Sequence, residues 1–88
     1  MKTMTCRQLG GACDLPLTAA SADEVIQQQD QHLKDVVAAG DTAHEPALAD
    51  MKARWRRPLS GMKWYMQTKR DFAALAEDPV QRPDPAQS

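Results

Sequence analysis

Hydrophobic and polar positions divide the chain into a short extended region and three amphipathic helices. In residues 1–20, apolar and β-branched side chains alternate loosely on both sides of Gly10-Gly11, a dipeptide typical of a tight turn. Pro16 cannot donate a hydrogen bond to a strand partner, so the second strand should be irregular or lie at an edge. The pattern predicts a short N-terminal β-hairpin.

The first helix has the clearest signals. Ser21 followed by Glu24 is a capping box, and Gly40 is a suitable C-terminal stop. Between them runs one apolar stripe at helical spacing, interrupted only by Gln29 and His32. The apolar members of the stripe are Ala22, Val25, Ile26, Leu33, Val36 and Val37.

The second predicted helix begins near Thr42 or Pro46 and ends at about Arg57. Thr42 and Glu45 fit a second capping box, but Pro46 disfavours helical geometry at the residue before it, so the start can shift to Pro46. Its predicted apolar face consists of Leu48, Met51 and Trp55.

The third predicted helix starts at Ser60 or Gly61, after a break at Pro58, and continues to Ala76. Its apolar stripe, with Trp64 and Leu75 on a flank, comprises Met62, Tyr65, Met66, Phe72, Ala73 and Ala76. We expect both Trp55 and Tyr65 to be core residues.

The predicted fold is a small α+β domain, in which an N-terminal β-hairpin is followed by three helices. It occupies residues 1–77, because the Pro-rich, weakly apolar residues 78–88 are typical of a disordered tail. A chain of 88 residues is too short for a barrel enzyme or a doubly wound nucleotide-binding fold.

The sequence also predicts the cellular compartment of the protein. No apolar run approaches the roughly 18 to 20 residues that cross a bilayer. The first residues lack the apolar segment of a secretory signal. We therefore expect a cytoplasmic protein with no membrane partner, in which Cys6 and Cys13 meet a reducing environment.

The two cysteines flank the predicted turn. If Leu9 and Gly10 are its central residues, Cys6 and Cys13 face each other across the hairpin. If Gly10 and Gly11 are central, the cysteines are offset by two residues. In either case both thiols are within reach of one metal ion or of each other.

The histidines complete a possible metal site. His32 lies on the edge of the apolar stripe of the first helix and should point toward the hairpin, and His44 lies at the start of the second helix. Two thiolates and two imidazoles suffice for tetrahedral zinc. The candidate ligands for zinc or a similar divalent metal are Cys6, Cys13, His32 and His44, although six residues between the cysteines and eleven between the histidines exceed the usual spacings.

Other interpretations of these residues remain open. Both thiols can pack as small apolar side chains, the histidines can be structural or exposed, and the cysteines can form a reversible disulfide. Asp14 is the only adjacent carboxylate, and it can instead accept a hydrogen bond from an amide of the turn. With no catalytic constellation, we expect a protein that is not an enzyme.

The segment Cys6–Asp14, followed by a capped helix with a histidine, resembles the domain of unknown function 1059 family. Members of this family are small bacterial proteins described as predicted small metal-binding proteins, so the resemblance implies a metal site. It covers roughly residues 4–55. Many members carry a second histidine where this chain has Val37, and His44 is the candidate substitute. The matching positions are Cys6, Arg7, Leu9, Gly10, Cys13, Asp14 and His32.

The net charge of −1 conceals a separation of charges along the chain. Seven acidic residues and one base, Lys34, lie between Asp23 and Asp50, whereas no acid lies between Lys52 and Arg70. The seven bases of the second region are Lys52, Arg54, Arg56, Arg57, Lys63, Lys69 and Arg70.

This separation predicts either an external partner or internal compensation. Clustered cations bind nucleic-acid phosphates, and interleaved aromatic residues can stack on bases. Alternatively the acidic and basic helices offset each other within the fold, which we favour, or between copies in a homo-oligomer. The alternative function is thus a non-enzymatic interaction module that uses basic helices 52–70 to bind a protein or nucleic acid, with purely structural cysteines and histidines.

Overall fold

The computed structural model describes residues 1–78 and has the predicted order of elements, a two-stranded hairpin followed by three helices. The strands pair antiparallel, with Lys2 opposite Ala19 and Thr5 opposite Pro16. The α+β fold class is therefore confirmed. The elements are β1 (Lys2–Thr5), β2 (Pro16–Ala19), α1 (Ala22–Ala38), α2 (Glu45–Arg56) and α3 (Pro58–Ala74).

The connection between the strands differs from the predicted tight turn. Residues 6–15 join β1 to β2 and include a single 3-10 turn at Arg7–Leu9. Gly10 ends this turn with φ of 100°, a left-handed conformation that favours glycine. Both cysteines consequently lie in the connection, and neither predicted way of pairing them across a two-residue hairpin turn occurs.

Helix α1 begins and ends where its sequence signals predicted. The Ser21 hydroxyl accepts a hydrogen bond from the Glu24 amide at 3.2 Å, and the Glu24 carboxylate accepts one from the Ala20 amide at 3.2 Å. These bonds satisfy amide groups that have no partner within the helix. After Ala38, Gly40 adopts φ of 99° and ends the helical path.

Two apolar clusters hold the elements together. The first joins the hairpin, α1 and α3, and Phe72 is the buried contribution of α3. The second joins the strand connection to α1 and α2 through Cys6, Leu33, Ala47 and Met51. The buried members of the first cluster are Met4, Leu9, Leu17, Ala19, Ala22, Val25, Ile26 and Phe72.

A sharp corner separates α2 from α3. Only Arg57 lies between them, and Pro58 begins α3 rather than only breaking the chain, because a first helical residue needs no amide hydrogen bond. The helices approach closely at Gly61, where a Cβ atom would lie 2.3 Å from the Arg54 carbonyl oxygen. Helix α3 thus starts and ends about two residues earlier than the sequence predicted.

The expectation that Trp55 is a core residue is wrong. Its side chain is 76% exposed, whereas Tyr65 is half-buried against the first cluster. Helix α3 packs through Trp64, Tyr65, Thr68 and Phe72. Since the corner after α2 sets which side of α3 meets α1, part of the predicted apolar stripe turns toward solvent.

The end of the described chain contacts its beginning. The Asp78 amide donates to the Met1 carbonyl at 2.8 Å, and the Asp78 carboxylate accepts from the Thr3 hydroxyl at 2.7 Å. The remainder of the predicted disordered tail, residues 79–88, lies outside the described residues. Across residues 1–78, no helix combines the length and apolar content needed to cross a membrane.

The cap of α1 gives a test of the fold. We expect Ser21→Ala to lower the free energy of unfolding by about 1 kcal/mol, because the Glu24 amide loses its acceptor. Urea denaturation measures the effect. Ser60→Ala is the matched control, since this exposed serine of α3 caps no helix and should change stability by less than about 0.5 kcal/mol. Equal losses in the two variants would contradict the assigned cap.

Candidate metal centre

Four side chains from separate parts of the sequence meet at one place. Cys6, Cys13, His32 and His44 each offer a ligand atom, and these four atoms all lie within 4.8 Å of one another. Both cysteines lie in the strand connection, His32 lies in α1, and His44 immediately precedes α2. The sequence-predicted set is therefore brought together in full.

Backbone hydrogen bonds of the strand connection bring the two cysteines close. The Cys6 amide donates to the Leu15 carbonyl at 2.9 Å, and the Arg7 amide donates to the Cys13 carbonyl at 2.8 Å. The connection therefore folds back on itself directly beyond the sheet. Both cysteines are free thiols, Cys6 buried and Cys13 half-buried.

Because Gly11 has no side chain, the Cys6 sulfur can occupy the space beside its backbone. A Cβ atom at Gly11 would lie 2.1 Å from the Cys6 Sγ and 2.8 Å from the Gln29 Nε2, distances that no side chain tolerates. The neighbouring Gly10 differs, because a Cβ there would meet nothing within 4 Å and only its φ of 100° disfavours other residues. The two glycines thus have separate physical roles.

Other residues between and beside the two cysteines stabilise the strand connection. Leu9 is buried in the first apolar cluster. Arg7 and Asp14 form an exposed ion pair, with 2.9 Å between Nε and Oδ1. Asp14 therefore bonds the Arg7 side chain and not the turn amide that the sequence suggested. Such an exposed pair contributes about 0 to 1 kcal/mol.

His32 points from α1 toward the strand connection, as the sequence predicted. Its Nε2 lies 3.4 Å from the Cys13 Sγ. Burial, followed by the nearby His44, lowers the pKa of His32, which favours the neutral imidazole that a metal requires. The rings of His32 and His44 are perpendicular, with centroids 5.2 Å apart.

His44 is buried, and a carboxylate contacts one of its two ring nitrogens. Its side chain is not exposed at a helix start, as one interpretation of the sequence allowed, but only 4% accessible. The His44 Nδ1 lies 2.8 Å from the Asp41 Oδ2, whereas its buried Nε2 has no hydrogen-bond partner among the described residues. A carboxylate on the far ring nitrogen is the usual second contact of a metal-binding histidine.

Gln29 is one of two site residues that the sequence did not reveal. It is fully buried, and its Nε2 lies 3.3 Å from both the Cys6 carbonyl oxygen and the Cys6 Sγ, while its Oε1 has no partner among the described residues. The available signal was its interruption of an otherwise apolar stripe. Asp41 was equally missed, and its only signal was the three-residue spacing to His44.

The two thiols differ in their acidity. Burial by itself raises the pKa of Cys6, but the hydrogen bond from Gln29, followed by those from Cys13 and by the nearby His44 ring, outweighs burial, so the pKa falls below its ordinary value. Burial, followed by the interaction with Cys6, raises the pKa of Cys13. Cys6 is therefore the more acidic of the two thiols.

The geometry fits a small tetrahedral cation. With bonds of about 2.3 Å to sulfur and 2.0 to 2.1 Å to nitrogen, the donor atoms of a tetrahedron lie about 3.3 to 3.8 Å apart. The Cys13–His32 separation of 3.4 Å already has this value. The remaining separations, none above 4.8 Å, require movements of about 1 Å or less, which side-chain rotation can supply.

The seven predicted partner-binding bases lie elsewhere, on α2, α3 and the corner. All are exposed except Arg54, whose guanidinium lies 4.0 Å from the centre of the Trp64 ring. Within residues 1–78 none of the seven forms an ion pair; the pairs present use the N-terminus, Arg7 and Lys34. Among the described residues, therefore, no direct ion pair joins the acidic helix to the basic ones.

Comparison with known families agrees with the N-terminal resemblance. Residues 1–36 match the family model described as "Protein of unknown function (DUF1059)". The matched segment contains Cys6, Cys13 and His32, whereas His44 and helices α2 and α3 lie beyond it. No curated protein matches the chain, and no solved structure matches it.

The contact between Gln29 and Cys6 gives a test of the site. We expect Gln29→Leu to raise the pKa of the Cys6 thiol, because the variant loses the N–H donor that stabilises the thiolate. The ultraviolet absorbance of the thiolate, titrated in metal-free protein with Cys13→Ser, measures this pKa. Gln27→Leu, an exposed glutamine of the same helix, should leave it unchanged. An unchanged or lower pKa in Gln29→Leu would contradict the assigned contact.

Proposed function

We propose that this protein binds a divalent metal ion of the zinc type through Cys6, Cys13, His32 and His44. The main support for this proposal is the state of the His44 Nε2 atom. It is buried, has no hydrogen-bond partner among the described residues, and belongs to a cluster of sulfur and nitrogen donors. Leaving a buried polar atom without a partner costs about 1 to 3 kcal/mol. A metal–nitrogen bond would remove that cost.

Charge balance supports a divalent ion. Two cysteine thiolates and two neutral imidazoles carry a charge of about −2, which a divalent cation neutralises. Because Cys6 and His44 are buried, a site with residual charge would carry a desolvation penalty. The mixture of sulfur and imidazole donors is typical of zinc and unlike the oxygen-rich sites of magnesium or calcium.

The proposed site holds its ion without performing a reaction. Four protein donors complete a tetrahedral shell and leave no position for a water nucleophile, as in structural zinc sites. The bound ion would join the strand connection to α1 and to the start of α2. Because the site requires both thiols in reduced form, we place the protein in a reducing compartment such as the cytoplasm.

Metal titration tests this proposal. We expect one Co²⁺ ion per chain to produce tetrahedral absorption bands and thiolate charge transfer, and Zn²⁺ to displace it. Cys6→Ser or His44→Gln should weaken binding by more than about 100-fold, because each variant loses a metal ligand. Loss of a group that only hydrogen-bonds a ligand costs about 10- to 100-fold in affinity. Asp41→Asn should fall within that smaller range.

Asp14→Asn is the control, since this carboxylate bonds Arg7 and no ligand. It should bind Co²⁺ as the unmodified chain does. Absence of the tetrahedral spectrum in reduced protein, together with a melting temperature that a chelator leaves unchanged, would overturn the proposal.

The paired glycines give a second test. We expect Gly11→Ala to weaken metal binding by at least about tenfold, since its new methyl group must displace the Cys6 Sγ. Gly10→Ala should retain metal affinity while losing about 1 kcal/mol of stability from its left-handed φ. Metal titration and urea denaturation of both variants measure the two effects. Equal metal affinities in the two variants would contradict the assigned role of Gly11.

A further inference from the structure

Helix α3 carries a second apolar face that no part of the described chain covers. At about 100° per residue, Leu59, Met62 and Met66 lie within about 60° of one another around the helix. Leu59 is 88% exposed and Met62 is 60% exposed. The buried side of the helix, centred on Thr68 and Phe72, faces a different direction, so these exposed residues do not support the core.

The exposed face continues into a groove at the α2–α3 corner. Trp55 and Met62 contribute to a depression of about 470 Å³, whose floor includes Ile26 of α1. Gly61 keeps the two helices close together beside it. Its lining is almost wholly apolar, with Arg54 as the only charged residue. We define the corner face as Trp55, Leu59, Met62 and Met66 together with this groove.

Basic side chains border the corner face: at about 100° per residue, Lys69 lies on one side of its apolar stripe on α3, and Lys63 and Arg70 lie on the other. The seven bases between Lys52 and Arg70 form no ion pair within residues 1–78, and no acid interrupts them in the sequence. Their charge is therefore available to an external partner. An apolar stripe with a positive border is complementary to an apolar stripe with a negative border.

We propose that the corner face binds an acidic amphipathic helix of another protein. Helices dock in apolar grooves through side chains spaced at i, i+3 and i+7, and flexible methionine side chains adapt to such partners. The groove would take one large apolar side chain of the partner, while partner glutamate or aspartate residues would pair with the basic border.

The other possible occupants fit less well. A second copy would place one basic border against another, and the acidic helix α1 exposes no large apolar side chain to fill the groove. The phosphates of a nucleic acid could pair with the basic border, but Leu59 and Met62 would then lie against the polar sugar-phosphate backbone. A flat bilayer surface would not fill the concave groove.

The proposal is independent of the metal site. Apart from Ile26 in the groove, the corner face lies beyond residues 1–36, which match the family model, and it uses none of the four candidate ligands. Metal binding and helix binding can therefore succeed or fail separately.

A synthetic helix tests the proposal. The probe is a fluorescein-labelled peptide of about 18 residues with leucine at i, i+3, i+7 and i+10 and glutamate on both flanks. We expect saturable binding to the full chain with micromolar affinity by anisotropy. Raising NaCl from about 0.05 to 0.5 M should weaken it, because the basic border is screened. The same peptide with lysine in place of glutamate should bind at least about tenfold more weakly.

Variants locate the binding surface. The double variant Leu59→Ser, Met62→Ser should lose at least about tenfold in affinity, and it should fold normally by circular dichroism because both side chains are exposed. Arg56→Glu with Arg57→Glu should also weaken binding. The control, Leu15→Ser, removes an exposed leucine outside α2 and α3 and should leave affinity unchanged.

Four outcomes would overturn the proposal. They are equal affinity for the glutamate and lysine peptides, unchanged affinity in the Leu59→Ser, Met62→Ser variant, tighter binding to phosphatidylglycerol vesicles or single-stranded DNA than to the peptide, and a stable dimer in sedimentation that buries Trp55.

Discussion

The approach of the strand connection to α1 is the constraint on which the rest of the structure depends. At its centre, the Cys6 carbonyl accepts hydrogen bonds from the Leu9 and Gly11 amides and from the buried Gln29 side chain. These bonds replace water in a fully buried position, where an unpaired carbonyl would be costly. The approach is so close that position 11 has no room for a side chain. Once it forms, Cys6 and Cys13 face the side of α1 that carries His32.

Stability and chemistry are therefore coupled in the N-terminal half. The first apolar cluster holds the hairpin, α1 and α3, and Leu9 anchors the strand connection in it. The second cluster includes the candidate ligand Cys6 among its buried members, and Cys13 packs against it. A metal ion would add bonds to His44, whose Asp41 contact already holds the ring in place. The proposed ion would thus tighten an arrangement that packing and hydrogen bonding have already formed.

The C-terminal half has a different physical character. Helix α3 uses one side for the core and leaves a second apolar side, next to Trp55, in contact with solvent. The bases around it are not used in ion pairs within the described residues. The near-zero net charge therefore reflects two separate surfaces, an acidic one on α1 and a basic one on α2 and α3. Exposed apolar area beside unpaired charge is a common property of interaction surfaces.

The sequence by itself determined the features that depend on short-range interactions. The capped α1, the order of elements and the candidate ligand set followed from local hydrogen bonding, helical periodicity and side-chain chemistry. Only the tertiary structure decided that residues 6–15 form a wide connection, that Gln29 bonds Cys6, that His44 is buried and that Trp55 is exposed. Each of these depends on how separate elements meet. Periodicity indicates that a helix has an apolar side, but the angle of the corner at Arg57 decides how much of that side the core covers.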